Sequence, residues 1–188
     1  MGDPATRDAT YEDLLAVDPP QVAELMHGQL IVSPRPRFRH AAAAGDLFTV
    51  LNARFRKLPT GWWFLVEPEL HLGLTNPRSA VLVPDIAGWR RENVPTCPDV
   101  AAAEVAPDWV CEVLSPSSAR WDRIVKTGLY ADAGVSHYWI IDPELQTLEV
   151  FALRDGVYAL VGRYAGEDVI HAEPFAEVTL SLSDWWLA

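Results

Sequence analysis

An apolar strand that carries one carboxylate and leads into a polar helix is the feature that most constrains this chain. Residues 109–114 are apolar except for Glu112, and Ser115-Pro116-Ser117 then ends the run. Strand alternation places Glu112 on the same face as Val110 and Leu114, side chains that are stable away from water. Burying an ionised carboxylate is costly unless a metal, a cation or a hydrogen-bond donor holds it. The strand therefore predicts a partner for Glu112.

The segment after this strand supplies a candidate partner. Asp122, Lys126 and Tyr130 follow one another at intervals of four residues, which places them on one face of a helix. If the helix folds back beside the strand end, the ammonium of Lys126 approaches Glu112. A plainer interpretation also stands: Asp122 and Lys126 form an ordinary ion pair, Tyr130 packs beneath the site, and Glu112 is a core carboxylate satisfied by Tyr or Arg.

A second carboxylate lies in an apolar run. Residues 80–89 are rich in β-formers, and Asp85 is the single charge among them. Pro84 cannot donate a hydrogen bond to a sheet, so it marks an edge, a bulge or a bend, and Asp85 is alternatively a strand-end cap. The spacing between Asp85 and Glu112 allows one strand, a loop and an adjacent strand.

If these two strands are neighbours, Asp85 and Glu112 can both bind one divalent cation, with waters filling the remaining positions. A nearby Lys126 would hold an attacking water or the scissile phosphate and offset charge that develops on phosphorus. Acid, acid and amine around a hydrated metal ion are typical of phosphodiester hydrolysis.

The charge balance restricts the partners. A formal net charge of −11 repels nucleic acid unless basic residues gather on one surface, and it is compatible with a divalent cation. Local basic clusters do occur, and ordinary solvated surface is the alternative interpretation for them: Arg35, Arg37 and Arg39; Arg54, Arg56 and Lys57; Arg90 and Arg91; Arg120, Arg123 and Lys126.

Composition predicts a cytoplasmic protein without a membrane association. No apolar run approaches the length of a membrane span, and the first residues lack the basic and apolar regions of a secretory signal. Two cysteines are too few for a disulfide framework, which favours a reducing compartment.

The pattern along the chain predicts one domain of 188 residues in the α/β (α+β) class, a mixed β-sheet flanked by helices. An N-terminal helix and hairpin occupy residues 10–33, the core residues 37–153, and a C-terminal β extension residues 154–188. Residues 38–58 form the longest predicted helix, and 62–72 and 80–89 each read as one strand. Glu24 in the hairpin and His40 near the start of the long helix are secondary candidates, although each has an ordinary surface or packing interpretation.

Four motifs carry a family resemblance: V-P-D-I-A at 83–87, E-V-L-S-P-S at 112–117, D-R-I-V-K at 122–126, and Y-A-D-A-G-V-S-H-Y-W-I-I-D-P at 130–143. With E-L-M-H-G-Q-L-I-V-S-P at 24–34 and a following His, they resemble a bacterial family of restriction-endonuclease-like proteins within the PD-(D/E)XK nuclease superfamily. The resemblance covers residues 81–150 and extends to residues 14–58.

This resemblance implies a restriction-endonuclease-like core, Mg²⁺ dependence, cleavage of DNA and a homodimer. By position, Pro84-Asp85 is the PD of the motif and Glu112 is its second acid. Leu114 stands where the motif has its lysine, and Lys126 in the next helix matches the lysine of the family pattern.

Two hypotheses follow. In the first, the chain is a metal-dependent endonuclease in which Asp85, Glu112 and Lys126 are catalytic, with Asp122, Glu24, His40 and Tyr130 as secondary candidates. In the second, it is a catalytically inactive nuclease-fold protein that serves as a binding or assembly module. The negative charge and Leu114 favour the second hypothesis.

Overall fold

The computed structural model describes residues 7–72, 80–97 and 99–187. Its helices and strands follow the sequence periodicity closely, with local exceptions. The first helix shows the local logic: the Thr10 side chain accepts a hydrogen bond from the backbone N–H of Asp13, and the Asp13 carboxylate accepts one from the backbone N–H of Thr10. This reciprocal capping box satisfies two backbone donors that the first turn leaves without partners.

Among the described residues the helices are α1 (Tyr11–Leu15), α2 (Phe38–Phe55), a π-helical turn (Trp121–Lys126) that continues into α3 (Thr127–Asp132), and a 3₁₀ turn (Leu182–Trp185). The strands are β1 (Val22–Met26), β2 (Gln29–Ser33), β3 (Trp62–Val66), β4 (Glu69–Leu72), β5 (Ala80–Leu82), β6 (Ile86–Arg90), β7 (Ala102–Ala103), β8 (Trp109–Val113), β9 (His137–Asp142), β10 (Thr147–Arg154), β11 (Val157–Ala165), β12 (Val169–Ile170) and β13 (Leu180–Ser181).

The described strands form two larger sheets and a small ribbon. The main sheet has the order β11-β10-β9-β8-β6-β3, and the minor sheet has the order β2-β1-β5-β4-β7. In the main sheet β8 and β9 are parallel and the other pairs are antiparallel. A parallel pair requires a crossover connection, which the π-helical turn and α3 provide. The predicted mixed α/β architecture is therefore confirmed.

Strand alternation divides the core between the two faces of the main sheet. On β8, Trp109, Cys111 and Val113 pack on the face covered by α2, whereas Val110 packs with α3 and the minor sheet on the other. Leu114, just beyond the strand, belongs to the second face as predicted. A strand buried on both faces reads as a nearly continuous apolar run, and this explains why Glu112 is conspicuous.

Two predicted single strands are each divided between the two sheets. The run 62–72 breaks at Glu67, which has a positive φ of 48°, and the run 80–89 breaks at residues 83–85. The breaks are bonded to each other, because the backbone N–H of Glu67 donates to the Asp85 carbonyl at 3.1 Å. Each chain segment thus passes from one sheet to the other at the same point, and Pro84 marks that bend.

The long helix also differs from the sequence prediction. It ends at Phe55 rather than Leu58, and its fully buried stripe runs through Leu47, Leu51 and Phe55, while Phe48 is only partly buried. Within the described ranges, no helix is long and apolar enough to cross a membrane.

Residues of the predicted C-terminal extension complete the core on the α2 face. Phe175 is fully buried and its ring lies 5.0 Å from Trp62, 5.1 Å from Trp109 and 5.7 Å from Trp139, measured between centroids. Edge-to-face aromatic contacts of this kind add to the stabilisation from burial. The C-terminal residues are thus an integral part of the packing around the main sheet.

We expect Phe175→Ala to lower the free energy of unfolding by about 3 to 5 kcal/mol, because it removes a large buried ring and leaves a cavity. Urea unfolding followed by tryptophan fluorescence measures the change. Phe38→Ala is the matched control, since the Phe38 side chain is 89% exposed and its removal should leave stability nearly unchanged. Equal stability of the two variants would contradict the assignment of Phe175 to the core.

Candidate active site at the junction of the two sheets

All buried charged side chains in the described part of the chain meet at one point. They are Glu24, Glu112, Asp122 and Lys126, with exposed fractions of 6%, 2%, 1% and 3%. Glu24 comes from β1 in the minor sheet, Glu112 from β8 in the main sheet, and Asp122 and Lys126 from the crossover helix. Buried charge is rare without a functional or pairing reason, so this cluster is the primary candidate site.

Lys126 is the centre of the cluster. Its Nζ lies 2.9 Å from Oε1 of Glu24, 3.1 Å from Oε1 of Glu112 and 3.1 Å from Oδ1 of Asp122. Three carboxylates therefore share one ammonium group. The Asp122 contact is an ion pair by distance only, since Oδ1 of Asp122 accepts no hydrogen bond from any described residue.

Tyrosine hydroxyls complete the hydrogen bonding behind the cluster. Tyr130 donates to Oε1 of Glu112 at 2.7 Å, and Tyr138 donates to the backbone carbonyl of Asp122 at 2.8 Å. The Asp122 carbonyl also accepts from the Thr127 hydroxyl at 3.1 Å. This carbonyl lies in the π-helical turn, and π turns occur frequently at functional sites. The sequence pattern predicted an ordinary α-helix here and contains no signal for the π turn.

Asp85 lies at the same strand ends but makes different contacts. The antiparallel register pairs Ile86 with Cys111, which places Asp85 alongside Glu112 on the opposite face from that pair. Oδ2 of Asp85 accepts a hydrogen bond from the backbone N–H of Val113 at 2.6 Å, and Oδ1 lies 2.6 Å from Nε2 of His40. His40 therefore orients Asp85, while Nδ1 of His40 has no hydrogen-bond partner among the described residues.

A cavity of about 330 Å³ joins these groups. Asp85, Glu112 and Lys126 line it, and so do three of the secondary candidates, Asp122, Glu24 and His40. Tyr130 does not line the cavity and supports Glu112 from behind. The structure thus brings together the predicted residues from segments that are far apart in the sequence.

The electrostatics of the cluster are dominated by burial and by the shortage of positive charge. Burial raises the pKa of Glu112 well above its usual value, although the Lys126 ammonium opposes the shift and neighbouring carboxylates add to it. Burial alone would lower the pKa of Lys126, but Glu112, Glu24 and Asp122 outweigh it and hold that pKa well above its usual value. Lys126 is therefore charged at neutral pH, and three carboxyl groups surround this one ammonium.

The donor set fits a hard divalent cation. No group of three His, Cys, Asp or Glu side chains within the described ranges is arranged as a metal site. Mg²⁺, however, is held in proteins by one or two carboxylates with water and substrate oxygens completing its octahedron. Asp85 and Glu112 on adjacent strands meet that requirement, and the unsatisfied Oδ1 of Asp122 marks the local excess of negative charge.

The alternative interpretations are only partly met. Asp122 and Lys126 do form an i,i+4 contact, but they are buried and share it with two further carboxylates, unlike a surface ion pair. Glu112 is bonded to a tyrosine as the core interpretation expects, yet it also faces a cavity. Asp85 holds a backbone N–H across the strands rather than capping a turn of its own.

Sequence reasoning missed several residues that surround the site. The cavity mouth includes Arg35, Arg37, Glu67, Ser115 and Ser117. Their sequence signals are the basic cluster at residues 35–39, which has a solvated-surface interpretation, and the Ser115-Pro116-Ser117 break that ends the apolar run. Tyr138 lies within the motif at 130–143, but the sequence did not single it out as a site residue.

We expect Lys126→Met to lower the free energy of unfolding by about 3 to 5 kcal/mol at pH 7.5, because it leaves three buried carboxylates without their shared cation. Without the ammonium, nothing opposes the effect of burial, and the pKa of Glu112 rises further above its value in the unfolded chain. A group with a raised folded-state pKa contributes stability below its unfolded pKa and loses that contribution as pH rises through its folded pKa. The stability deficit of Lys126→Met should therefore shrink towards pH 4.5.

Urea unfolding at both pH values, in the presence of a chelator, measures this deficit. Lys57→Met is the matched control because Lys57 is exposed. A Lys126→Met variant as stable as the wild type at pH 7.5 would contradict the central position of this ammonium in the cluster.

Comparison with known proteins agrees with this fold. Residues 8–183 match the sequence profile of the Uma2 family, described as "Putative restriction endonuclease". A crystal structure described as a "putative nuclease belonging to DUF820" from Anabaena variabilis aligns with a TM-score of 0.76 at 22% identity, covering 94% of this chain and 97% of that chain. A comparison with curated proteins finds no match.

At 22% identity the structural likeness shows a shared fold, while the family match spans most of the sequence. Together they confirm the predicted restriction-endonuclease-like resemblance. The chain belongs to the Uma2 family, a restriction-endonuclease-like family related to the PD-(D/E)XK nucleases.

Proposed function

We propose that this protein is a divalent-metal-dependent endonuclease that hydrolyses phosphodiester bonds in DNA. The observation that carries the proposal is the convergence, in one cavity, of the carboxylates of Asp85 and Glu112 with the ammonium of Lys126. A purely structural ion pair would need one acid for one base. Here the acids outnumber the base, which fits a site that accepts a second cation together with an anionic substrate.

Asp85 and Glu112 would hold Mg²⁺ or Mn²⁺ with oxygen ligands from neighbouring strands. When bound, such an ion polarises a phosphoryl oxygen and lowers the pKa of a bound water. His40 fixes the orientation of Asp85 through the 2.6 Å contact, and Tyr130 fixes Glu112 through its hydroxyl.

Lys126 would supply the positive charge that the motif lysine supplies elsewhere. Leu114, at the motif position, is buried in the apolar core and contributes no charge. Lys126 reaches the Glu112 carboxylate from the crossover helix instead. An ammonium held in this position donates to a water or to a phosphate oxygen and offsets the negative charge that develops on phosphorus. Glu24 and Asp122 keep the Lys126 side chain directed into the cavity.

The second hypothesis, a nuclease-fold binding module without catalysis, rests on the excess negative charge and on Leu114. Because Lys126 restores an ammonium to the site, Leu114 no longer distinguishes the two hypotheses. Catalysis and metal binding therefore distinguish the two hypotheses, because a binding-only protein has no requirement for a cation at Asp85 and Glu112.

We expect the wild-type protein to nick and linearise supercoiled plasmid with Mg²⁺ or Mn²⁺ and to be inactive with a chelator. Glu112→Gln and Asp85→Asn should each reduce the rate by about 100-fold or more, because each replaces a carboxylate metal ligand with a neutral amide of the same shape. Agarose-gel assays of initial rate measure the effect. Glu167→Gln is the matched control, since Glu167 is exposed and lies outside the cavity.

Calorimetric titration with Mn²⁺ completes the test. The wild type and Glu167→Gln should bind Mn²⁺, and Glu112→Gln should not. A wild-type protein that binds no metal and cleaves no DNA would favour the binding module. Cleavage by Glu112→Gln at the wild-type rate would contradict the endonuclease proposal.

We also propose a cytoplasmic homodimer. The outermost strand β11 presents Val157, Leu160 and Val161 to solvent at the edge of the main sheet. An unpaired edge strand with exposed apolar side chains is a template for pairing with a second chain.

Sedimentation equilibrium should give a dimer mass for the wild type and a monomer mass for Val161→Lys; a monomeric wild type would contradict the dimer. Cys97 and Cys111 are both free thiols, which supports the proposed location in a reducing cytoplasm.

A further inference from the structure

A second cavity opens beside the cavity lined by Asp85, Glu112 and Lys126, which we call the carboxylate cavity. The two cavities share several lining residues. It has a volume of about 650 Å³ and lies between the start of α2, the strand end at Leu114 and the turn after β9. The residues that line both cavities are Pro36, Arg37, His40, Ser115 and Pro116. A group bound in this side cavity would therefore lie immediately next to one held at Asp85.

The side cavity is largely apolar and carries an exposed aromatic ring. Leu114, Pro143 and Leu187 line it, together with the two prolines that also line the carboxylate cavity. Phe38 also lines it, and its side chain is 89% exposed. A phenylalanine at this exposure contributes almost nothing to the core, so the fold does not account for it. An apolar shelf with an exposed ring is typical of a site that binds a flat ligand.

Unpaired positive charge surrounds this shelf. Arg37 and Arg39 line the side cavity and Arg35 lines the carboxylate cavity. All three are exposed, and none makes an ion pair or a side-chain hydrogen bond with another described residue. In a chain of net charge −11, three such arginines within five residues form a local anion-binding strip. Among the described residues that line the side cavity, Glu144 is the single acidic one.

We propose that the side cavity binds an unpaired nucleobase of the substrate strand, so that the substrate is single-stranded DNA or a duplex with an unstacked nucleotide. This inference rests on the proposed nuclease function and adds its substrate class. The base stacks on Phe38, while Arg37 and Arg39 contact the phosphates on either side of it. A strand held in this way presents the adjacent phosphodiester to the cavity that contains Asp85 and Glu112.

The chemistry favours an unpaired base over other flat ligands. Stacking on an aromatic side chain combined with arginine contacts to the backbone is the general mode of single-strand binding. A base within an intact duplex is stacked on both sides and cannot enter a side cavity without being extruded. Arg37 and Arg39 flank Phe38 in the sequence and favour a ligand that carries more than one negative charge, which a nucleic-acid strand provides.

We expect Phe38→Ala to weaken binding of a fluorescein-labelled single-stranded oligodeoxynucleotide by about tenfold, because it removes the stacking surface. Fluorescence anisotropy in the presence of a chelator measures binding without cleavage. Phe38→Tyr should retain wild-type affinity since it keeps the ring. Val169→Ala, a second exposed apolar position that lines neither cavity, should have no effect.

An oligomer with abasic sites separates base stacking from charge. It keeps the phosphates but lacks bases, so the wild type should bind it about tenfold more weakly and Phe38→Ala should cause no further loss. Arg37→Gln with Arg39→Gln should weaken binding of both oligomers and reduce the salt dependence. The same loss on normal and abasic strands upon Phe38→Ala would overturn the base site.

The outcomes also separate this inference from the proposed function. If the wild type cleaves DNA and Phe38→Ala binds and cleaves single-stranded DNA as well as the wild type does, the proposed base site is wrong but the proposed endonuclease activity is retained. If an intact duplex is bound more tightly than the single strand, the substrate class is wrong. If the wild type neither binds nor cleaves any DNA, both proposals fall.

Discussion

One ammonium group surrounded by three buried carboxylates is the interaction on which the rest of this structure depends. Lys126 reaches Glu24 in one sheet, Glu112 in the other and Asp122 on its own helix. An arrangement of this kind is weak evidence for stability, since desolvating four charges costs as much as their attraction returns. Its position in the lining of a cavity is easier to explain by function, because an active site tolerates local destabilisation that a core does not.

The architecture explains why these charges meet. The chain passes from the main to the minor sheet and back at two breaks, Glu67 and residues 83–85, which are hydrogen-bonded to each other. This junction opens the cavity and places Asp85 at its wall. The crossover helix between parallel β8 and β9 then closes the cavity with Lys126. Catalytic candidates therefore lie on strand ends and a helix, where packing holds them rigidly.

The arginine strip and Phe38 show how the proposed binding of nucleic acid is compatible with the net charge of the molecule. A net charge of −11 opposes nucleic-acid binding over the whole surface, yet the connector before α2 concentrates exposed arginines at the two cavities. Overall repulsion combined with local attraction would restrict contact to the site itself. The same electrostatics would make binding sensitive to ionic strength.

Local periodicity was sufficient for much of this structure. The face of β8 that carries Glu112, the helical stripe of Asp122, Lys126 and Tyr130, and the mixed α/β class all follow from spacings of two and four residues, which are properties of the backbone. The division of two apparent strands between sheets, the π-helical turn and the pairing of His40 with Asp85 do not. They depend on which distant segments pack together. An apolar segment could be buried in either sheet, so its own sequence does not indicate which sheet it joins. The amino-acid sequence alone therefore determined which side chains required partners, and only the tertiary structure decided that these partners are one another.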